Sequence, residues 1–441
     1  MSTTPPDDRS QTTQEGRAQG QGAPRETALL VGVRWPSTAP PVVEEHLDEL
    51  GLLAQTAGAD VVGRIIQRRD RPDAATYIGK GKAKSLVMQG QELGCDLIIF
   101  DEDLSPSQHK NLQKMAGEDI KVIDRSGLIL DIFGKRARSR EAKTQVELAQ
   151  LQYMLPRLSG LWTHLERQKG GIGTRGGPGE TQIEVDRRMT RARIRLLQND
   201  LKHIVSERAT QSHRRQQAFR VALVGYTNAG KSTLLNALTG AQVYVEDRLF
   251  ATLDTTTRKL ALSDGHTVLL SDTVGFIRKL PHHLIASFRS TLTEVAEADL
   301  ILKILDASSP QVMEHFEAIN EVLGELGLSD KPSRVVLNKL DAIDDDGSLA
   351  QLQRQFPDAV VVSARQRLRL DRLEAVISQA YSQDFDQVQL RVPPEQSRLI
   401  SAVYEALEVK DRTFDQDTTV LTVRGPRAVI QSFQSKLEGR V

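Results

Sequence analysis

The chain has 441 residues, 39% of them hydrophobic and 26% charged, with 58 Lys/Arg balanced by 58 Asp/Glu. That is room for about three domains of ordinary globular composition, and no run approaches the roughly 18 apolar residues of a membrane helix, which excludes a span. The neutral balance is uneven: from Lys135 to Arg215 there are 18 Lys/Arg against 8 Asp/Glu, which fits either a polyanion-binding face or a solvated basic helix.

Residues 1–24 are rich in Gln, Thr, Gly and Pro and lack an apolar segment, so they read as a disordered tail and not a signal peptide. A cytoplasmic protein is expected, with peripheral association at a membrane left open. From 25 to 135, "ALLVGV", "VVGRII", "DLIIF" and "IKVID" are apolar strands, with an amphipathic helix from about Val42 to Ala57. This alternation predicts a first α/β domain. Cys95, the only cysteine, lies in "GCDLIIF" and is expected in the core, since it can form neither an internal disulfide nor a cysteine metal cluster.

Residues 136–215 carry two helical patterns. Val146, Ala149, Leu151, Tyr153 and Leu155 recur near helical spacing in the first; Ile183, Ile194, Leu197, Leu201 and Ile204 do so in the second, from about Gln182 to Arg215. Between them "QKGGIGTRGGPGE" is too glycine-rich for a helix, so a helical hairpin with an exposed flexible tip is predicted. Arg187, Arg188, Arg191, Arg193 and Arg195 spread over more than one helix face, so several must meet solvent. From 216 to 383, "FRVALVG", "TVLLSD", "DLILKILDA", "SRVVLNK" and "AVVVSA" alternate with turns or helices, as in a doubly wound parallel sheet. Residues 384–441, with "VQLRV", a helix from about Pro394 to Glu408, "TVLTV" and a final helix, read as a small α+β domain of β-α-β-α order.

The chemistry is concentrated in the fourth segment. "GYTNAGKS", residues 225–232, follows a strand and precedes a helix, the context in which G-x-x-x-x-G-K-[ST] cradles phosphate with backbone N–H groups. Gly225 and Gly230 are expected where the chain approaches the anion, Lys231 as the cation for β- and γ-phosphates, and Ser232 as a Mg²⁺ ligand. "NKLD", residues 338–341, decides the base: the Asp341 carboxylate can accept from N1–H and the 2-amino group of guanine, whereas adenine would leave it unpaired. "SAR", Ser363 to Arg365, can meet guanine O6 through its backbone. "DTVGF", residues 272–276, supplies Asp272 toward Mg²⁺ and the Gly275 N–H toward the γ-phosphate. In "LDTTTRK" either Thr256 or Thr257 is expected to close over Mg²⁺ and γ-phosphate, unless the threonines are plain strand residues.

With these elements in order the segment looks like a translational-type GTPase domain. "YIGKGKAKSL", "DRSGLILDIFGKRARSREAKTQVELAQLQYMLPRL", "GGIGTRGGPGETQIEVDRR" and "DTVGFIRKLPHHLIASFRSTL" resemble the HflX family of bacterial GTPases, over residues from about 26 to 380. The resemblance implies a P-loop GTPase domain preceded by an α/β domain with a long hairpin. It also implies a GTP-hydrolysing factor that binds the large ribosomal subunit and splits or rescues stalled ribosomes under stress; a monomer is expected. A GTP-dependent RNA-modification or ribosome-assembly factor is the alternative. Two departures stand out: Thr255 replaces a common proline before the switch threonine, and the tip carries an extra glycine.

The expected nucleotide site comprises Gly225, Tyr226, Thr227, Asn228, Ala229, Gly230, Lys231, Ser232 and Thr233; Phe250, Ala251 and Thr252; Asp272, Thr273, Val274 and Gly275; Asn338, Lys339 and Asp341; and Ser363, Ala364 and Arg365. Lys231, Asn228, Gly275 and Thr256 or Thr257 are the catalytic candidates; Ser232, Thr256 or Thr257, and Asp272 are the metal candidates. Phe276 stands where many GTPases place a water-orienting glutamine. Asn228 resembles a K⁺ ligand of related GTPases, or is a turn former. Gly79, Gly81 and Lys82 suit ATP, an RNA backbone or a structural turn.

Overall fold

The computed structural model describes residues 25–158, 182–212, 218–241, 249–250, 252–279, 293–343, 346–383, 385–415 and 418–437. The first sheet is parallel, in the order β2-β1-β3-β4, from β1 (Glu26–Arg34), β2 (Ala59–Arg68), β3 (Leu97–Phe100) and β4 (Lys121–Asp124). Central β1 is buried through six consecutive residues, as a strand covered on both faces must be. Cys95 is buried and free, as its apolar run requires.

Local signals set the helices. In α1 (Pro40–Ala57) a proline opens the helix and Gly58, at φ +98°, closes it; α2 spans Lys80–Glu92. A capping box of Ser105 and Gln108 starts α3 (Pro106–Ala116). Asp124, wholly buried at the end of β4, caps α4 (Arg125–Arg136) through the Gly127 N–H at 2.8 Å. It also accepts from the Tyr153 hydroxyl at 2.6 Å and from Arg157 at 3.0 Å. One carboxylate thereby ties the first sheet to the far end of α5 (Arg140–Met154). The partner helix α6 (Gln182–Ser212) packs along α5, with Arg193 gripping Glu147 at 2.7 and 2.8 Å. The glycine-rich tip lies outside the described residues.

The second sheet runs β10-β9-β8-β5-β7-β6. Its strands are β5 (Arg220–Gly225), β6 (Thr256–Ala261), β7 (Thr267–Asp272), β8 (Leu300–Asp306), β9 (Ser333–Asn338) and β10 (Val360–Val361). The helices here are α7 (Lys231–Thr239), α8 (Thr293–Ala296), α9 (Val312–Glu325), α10 (Asp346–Gln355) and α11 (Leu370–Gln383). The sheet is not wholly parallel: β6 is an antiparallel edge on β7. A third sheet, β11-β13-β12, is antiparallel; it holds β11 (Phe385–Val392), β12 (Glu408–Asp415) and β13 (Thr418–Pro426), with α12 (Arg398–Ala406) and α13 (Arg427–Leu437). The order is therefore β-α-β-β-α, one strand more than expected. That strand escaped notice because all but one of its residues are exposed.

The first two sheets share one apolar cluster. Leu128, Ile129, Phe133, Ala142 and Val146 of α4 and α5 pack with Tyr226, Leu249, Phe250, Leu253, Val274 and Ile277. Beside it lies an ionic cluster. The Arg125 guanidinium, 1% exposed, bonds Glu49 of α1, Asp101 at 2.8 Å and the Arg278 carbonyl at 3.2 Å. Arg278 in turn reaches Asp101 at 3.0 Å, and Lys279 reaches Glu102. Replacing Arg125 with leucine leaves two acids without their main partner inside the interface, a change worth about 3–5 kcal/mol. Scanning calorimetry is expected to show the first two sheets melting in separate transitions in Arg125→Leu, against a shared transition in the parent chain.

Candidate functional site

The site is built where β5 ends and α7 begins. Phe276 donates its N–H to the Gly225 carbonyl at 3.0 Å, and Thr227 donates to the Phe276 carbonyl at 2.7 Å, so the phosphate-type loop is zipped to "DTVGF". Asn228 and Gly230 turn the loop through left-handed φ of +61° and +88°. The glycines are needed for reasons other than anion approach alone. A Cβ on Gly225 would collide with the Ile304 carbonyl of β8, and one on Gly230 with the Asn338 amide. At Gly275 a Cβ would stand 2.9 Å from Thr227 Cγ2 and 3.1 Å from Lys231 Nζ.

Lys231 is buried and curls back over the loop, donating to the Gly225 and Tyr226 carbonyls at 3.0 and 2.9 Å. The helix it opens has no side-chain cap, which leaves first-turn N–H groups for an anion. Ser232 Oγ sits 2.5 Å from Asp272 Oδ2 and 2.8 Å from Thr252 Oγ1. Asp272 is wholly buried, its Oδ1 has no partner, and burial raises its pKa against the pull of Lys231 and Ser232. An orphaned carboxylate oxygen beside two hydroxyls is a donor set suited to a hard cation such as Mg²⁺. Among the described residues no group of three or more His, Cys, Asp or Glu could hold a metal ion, so such a cation would need oxygens from a ligand as well.

At the other end, the Asn338 amide bridges two loops, donating to the Ala229 carbonyl at 2.8 Å and accepting from the Ala364 N–H at 3.0 Å. Asp341 accepts from the Ser363 hydroxyl at 2.5 Å. Lys339, at φ +64°, pairs with Asp306 at 2.8 Å, and Arg365 is exposed.

Several expected residues lie elsewhere. Thr257 Oγ1 meets Ser271 Oγ at 2.8 Å within the β6–β7 pair, and Thr256 is its neighbour opposite Asp272 in that ladder. Both are strand residues, and the threonine that reaches Ser232 is Thr252. Sequence reasoning placed Thr252 beside the nucleotide but did not single out its hydroxyl, which lies ahead of the strand and not within it. Phe250 turns into the shared apolar cluster, edge-on to Phe133 at 4.6 Å. Val274 joins the same cluster, and Thr273 bonds the Leu223 carbonyl at 2.7 Å. The Tyr226 ring stacks on His315 at 3.8 Å, and its hydroxyl donates to Glu49 of α1. Phe276 is 1% exposed in the core beneath. Thr233 is half-buried on α7, and Ala251 lies outside the described residues.

A phosphate loop with an uncapped helix, a buried lysine and aspartate, and an Asn338-linked base loop define a P-loop GTPase. The comparisons with known proteins agree. Residues 44–134 match the family model of the GTP-binding GTPase N-terminal region, 136–215 that of the GTP-binding GTPase middle region, and 220–339 that of the 50S ribosome-binding GTPase. The chain is 52% identical to GTPase HflX of Flavobacterium psychrophilum over 317 residues, 72% of this chain and 76% of that one. It is 46% identical to GTPase HflX of Caldanaerobacter subterraneus over 394 residues, 89% of each. With GTPase HflX of Escherichia coli K12 it shares 42% over 386 residues, 87% of this chain and 90% of that one. The chain belongs to the HflX family of GTPases, and it hydrolyses GTP to GDP and phosphate. Among the described residues no helix is long and apolar enough to cross a membrane.

Burial pushes Lys231 down from 10.5 to about 8, with Asp272 opposing. Between those values the unfolded chain holds more protons, so this group's contribution makes stability rise with pH across that window. Bound phosphate favours the charged lysine and reverses the shift. GDP binding without metal is therefore expected to take up a proton as pH rises through about 8, with affinity falling by up to about tenfold per pH unit. Calorimetry in buffers of different ionisation enthalpy checks this, and Lys231→Met should flatten the profile.

Proposed function

We propose that the chain uses GTP as a conformational timer on the ribosome, binding the large subunit and splitting or rescuing stalled ribosomes. The observation that carries this reading is α6. It rises about 46 Å at 1.5 Å per residue; Arg188, Arg191, Arg193 and Arg195 are exposed, and so are Met189 and Leu196. A helix this long with so little of its described surface covered suits an arm for a polyanion, and the family description of a 50S ribosome-binding GTPase names one.

In the nucleotide site, Lys231 neutralises β- and γ-phosphates, and the uncapped turn of α7 donates N–H groups to them. Ser232, Thr252 and Asp272 are the residues that would hold Mg²⁺, which when bound offsets phosphate charge. The Gly275 N–H reads the γ-phosphate, and Asp341 with the Ser363–Arg365 backbone reads guanine. The Phe276 side chain is in the core, so another group must orient water. Asn228, exposed on its left-handed turn, is the residue we assign to K⁺, and faster hydrolysis in K⁺ than in Na⁺ that vanishes in Asn228→Ala is the sign of that role.

Base choice is tested by Asp341→Asn. The amide can donate to the extra carbonyl of xanthine, so the variant should weaken GTP binding by at least about tenfold and prefer xanthosine triphosphate; unchanged GTP affinity removes Asp341 from the guanine site. For the ribosome, co-sedimentation with large subunits is expected with a non-hydrolysable GTP analogue and lost with GDP, and light scattering from intact ribosomes should fall on adding protein and GTP. Affinity should fall with salt by roughly 0.7 to 0.9 log units per decade for each phosphate contacted, less steeply in Arg188→Ala/Arg191→Ala. Binding only to precursor particles would favour the assembly reading.

A further inference from the structure

Thr252 meets Ser232 of its own domain at 2.8 Å, but the chain on either side of it is anchored in the first domain. On one side of it, Leu249 and Phe250 are 6% and 2% exposed; on the other, Leu253 is 2% exposed. All three are buried in the cluster built by α4 and α5. The Phe250 backbone stands at φ +56°, a region disfavoured for bulky residues and kept only where the surroundings over-determine it. Two residues past Thr252, Asp254 docks on the start of α5. Its Oδ2 accepts from the Arg138 and Ser139 N–H groups at 3.1 and 3.2 Å, and its Oδ1 accepts from the Ser139 hydroxyl. Ser139 is itself the N-cap of α5, accepting from the Ala142 N–H at 3.1 Å. A single joint therefore connects the hydroxyl beside Ser232 and Asp272 to the first turn of the helix that carries α6.

We infer that Asp254 is a positioning residue for GTP hydrolysis: its grip on the Ser139 turn fixes Thr252 at the nucleotide site and makes the α5–α6 arm and that site share one conformational equilibrium. The inference rests on the proposed reading of Ser232, Thr252 and Asp272 as metal-holding residues. Linkage makes it reciprocal: a ligand that orders Thr252 must steady the start of α5, and a displacement of α5 must loosen Thr252. A merely structural Asp254 would stabilise α5 and weaken all nucleotides alike when removed.

The test uses the full chain, with dissociation rates of fluorescent GDP and of a fluorescent non-hydrolysable GTP analogue, each with and without Mg²⁺. In Asp254→Ala the Mg²⁺-dependent retention of the triphosphate is expected to fall about tenfold, while GDP retention stays within about twofold. Ser139→Ala removes one of the three donors and should move in the same direction by less; the double variant should be no worse than Asp254→Ala, because both remove one joint. Hydrogen exchange adds a second readout: Mg²⁺ and the triphosphate analogue should slow exchange at Glu141–Gln145 in the parent chain and not in Asp254→Ala. Should Asp254→Ala fail to fold, Ser139→Ala carries both measurements. Equal loss of GDP and triphosphate, additive effects of the two substitutions, or parental exchange behaviour in the variants would overturn the inference. Thr252→Ala separates it from the reading beneath: if that variant keeps the parental Mg²⁺ dependence, the metal-site assignment fails and the joint has nothing to position.

Discussion

A guanidinium with 1% exposure has to be matched inside the protein, and Arg125 is matched by residues from two domains. Its charge is held by Glu49 and Asp101, which together raise its pKa although burial opposes them. Removing such a group from water costs several kcal/mol, and the cost is recovered only with near-complete hydrogen bonding. The Arg278 carbonyl completes that shell, and the Tyr226 hydroxyl, bonded to Glu49, accepts from the Arg278 N–H at 2.8 Å. The phosphate loop and the segment after Gly275 are therefore set against α1 and α4 by the need to satisfy one buried charge. Apolar packing around Phe133 and Phe250 fills the space beside it, with each buried ring contributing about 2–3 kcal/mol.

The nucleotide site was legible where its geometry is local. "GYTNAGKS" and "NKLD" each place their residues within one turn of chain, so spacing sufficed to bring Lys231, Ser232 and Asp341 to their loops. Reading failed where the partner is remote. Asp254 meets Ser139 at a separation of 115 residues, and Tyr226 meets Glu49 at 177; no periodicity records such pairs. The threonine run was ambiguous for a related reason. "TTRKLA" has one buried residue, Leu260, so the strand reading stood open without a pattern to favour it, while Thr252, outside the run, lies against Ser232 between buried neighbours. Gly225 shows the converse: the motif was read correctly, but the close approach that demands glycine is to the β8 backbone, a demand invisible without the sheet order.

Phe276 links the fold to the chemistry. Its backbone bridges the phosphate loop and its ring fills the core between β5 and α9, so the position after Gly275 is committed to holding "DTVGF" in register. A polar side chain there would be buried without partners, a cost of roughly 1–3 kcal/mol. The register that holds "DTVGF" against the phosphate loop thus removes one source of water orientation. On the proposed reading, hydrolysis then depends on a group that arrives with a cation or a partner, which suits a timer better than a constitutive hydrolase.

The segments around Thr252 and Gly275 share an apolar anchor on the first domain and differ in the polar contacts added to it. Leu249, Phe250, Leu253, Val274 and Ile277 all lie in the shared cluster; the Thr252 side adds the Asp254 cap on Ser139, and the Gly275 side adds the ion pairs of Arg278 and Lys279 to Asp101 and Glu102. Apolar contact is non-directional and survives small sliding, but a hydrogen-bonded ion pair weakens steeply once distance or angle is lost. A small shift of the first domain therefore loosens the polar contacts on both segments before it loosens the apolar anchor beneath them. On the proposed reading, that gives the arm a graded hold on the site: the polar joints at Asp254 and Arg278 respond first, and the apolar anchor keeps both segments beside the phosphate loop.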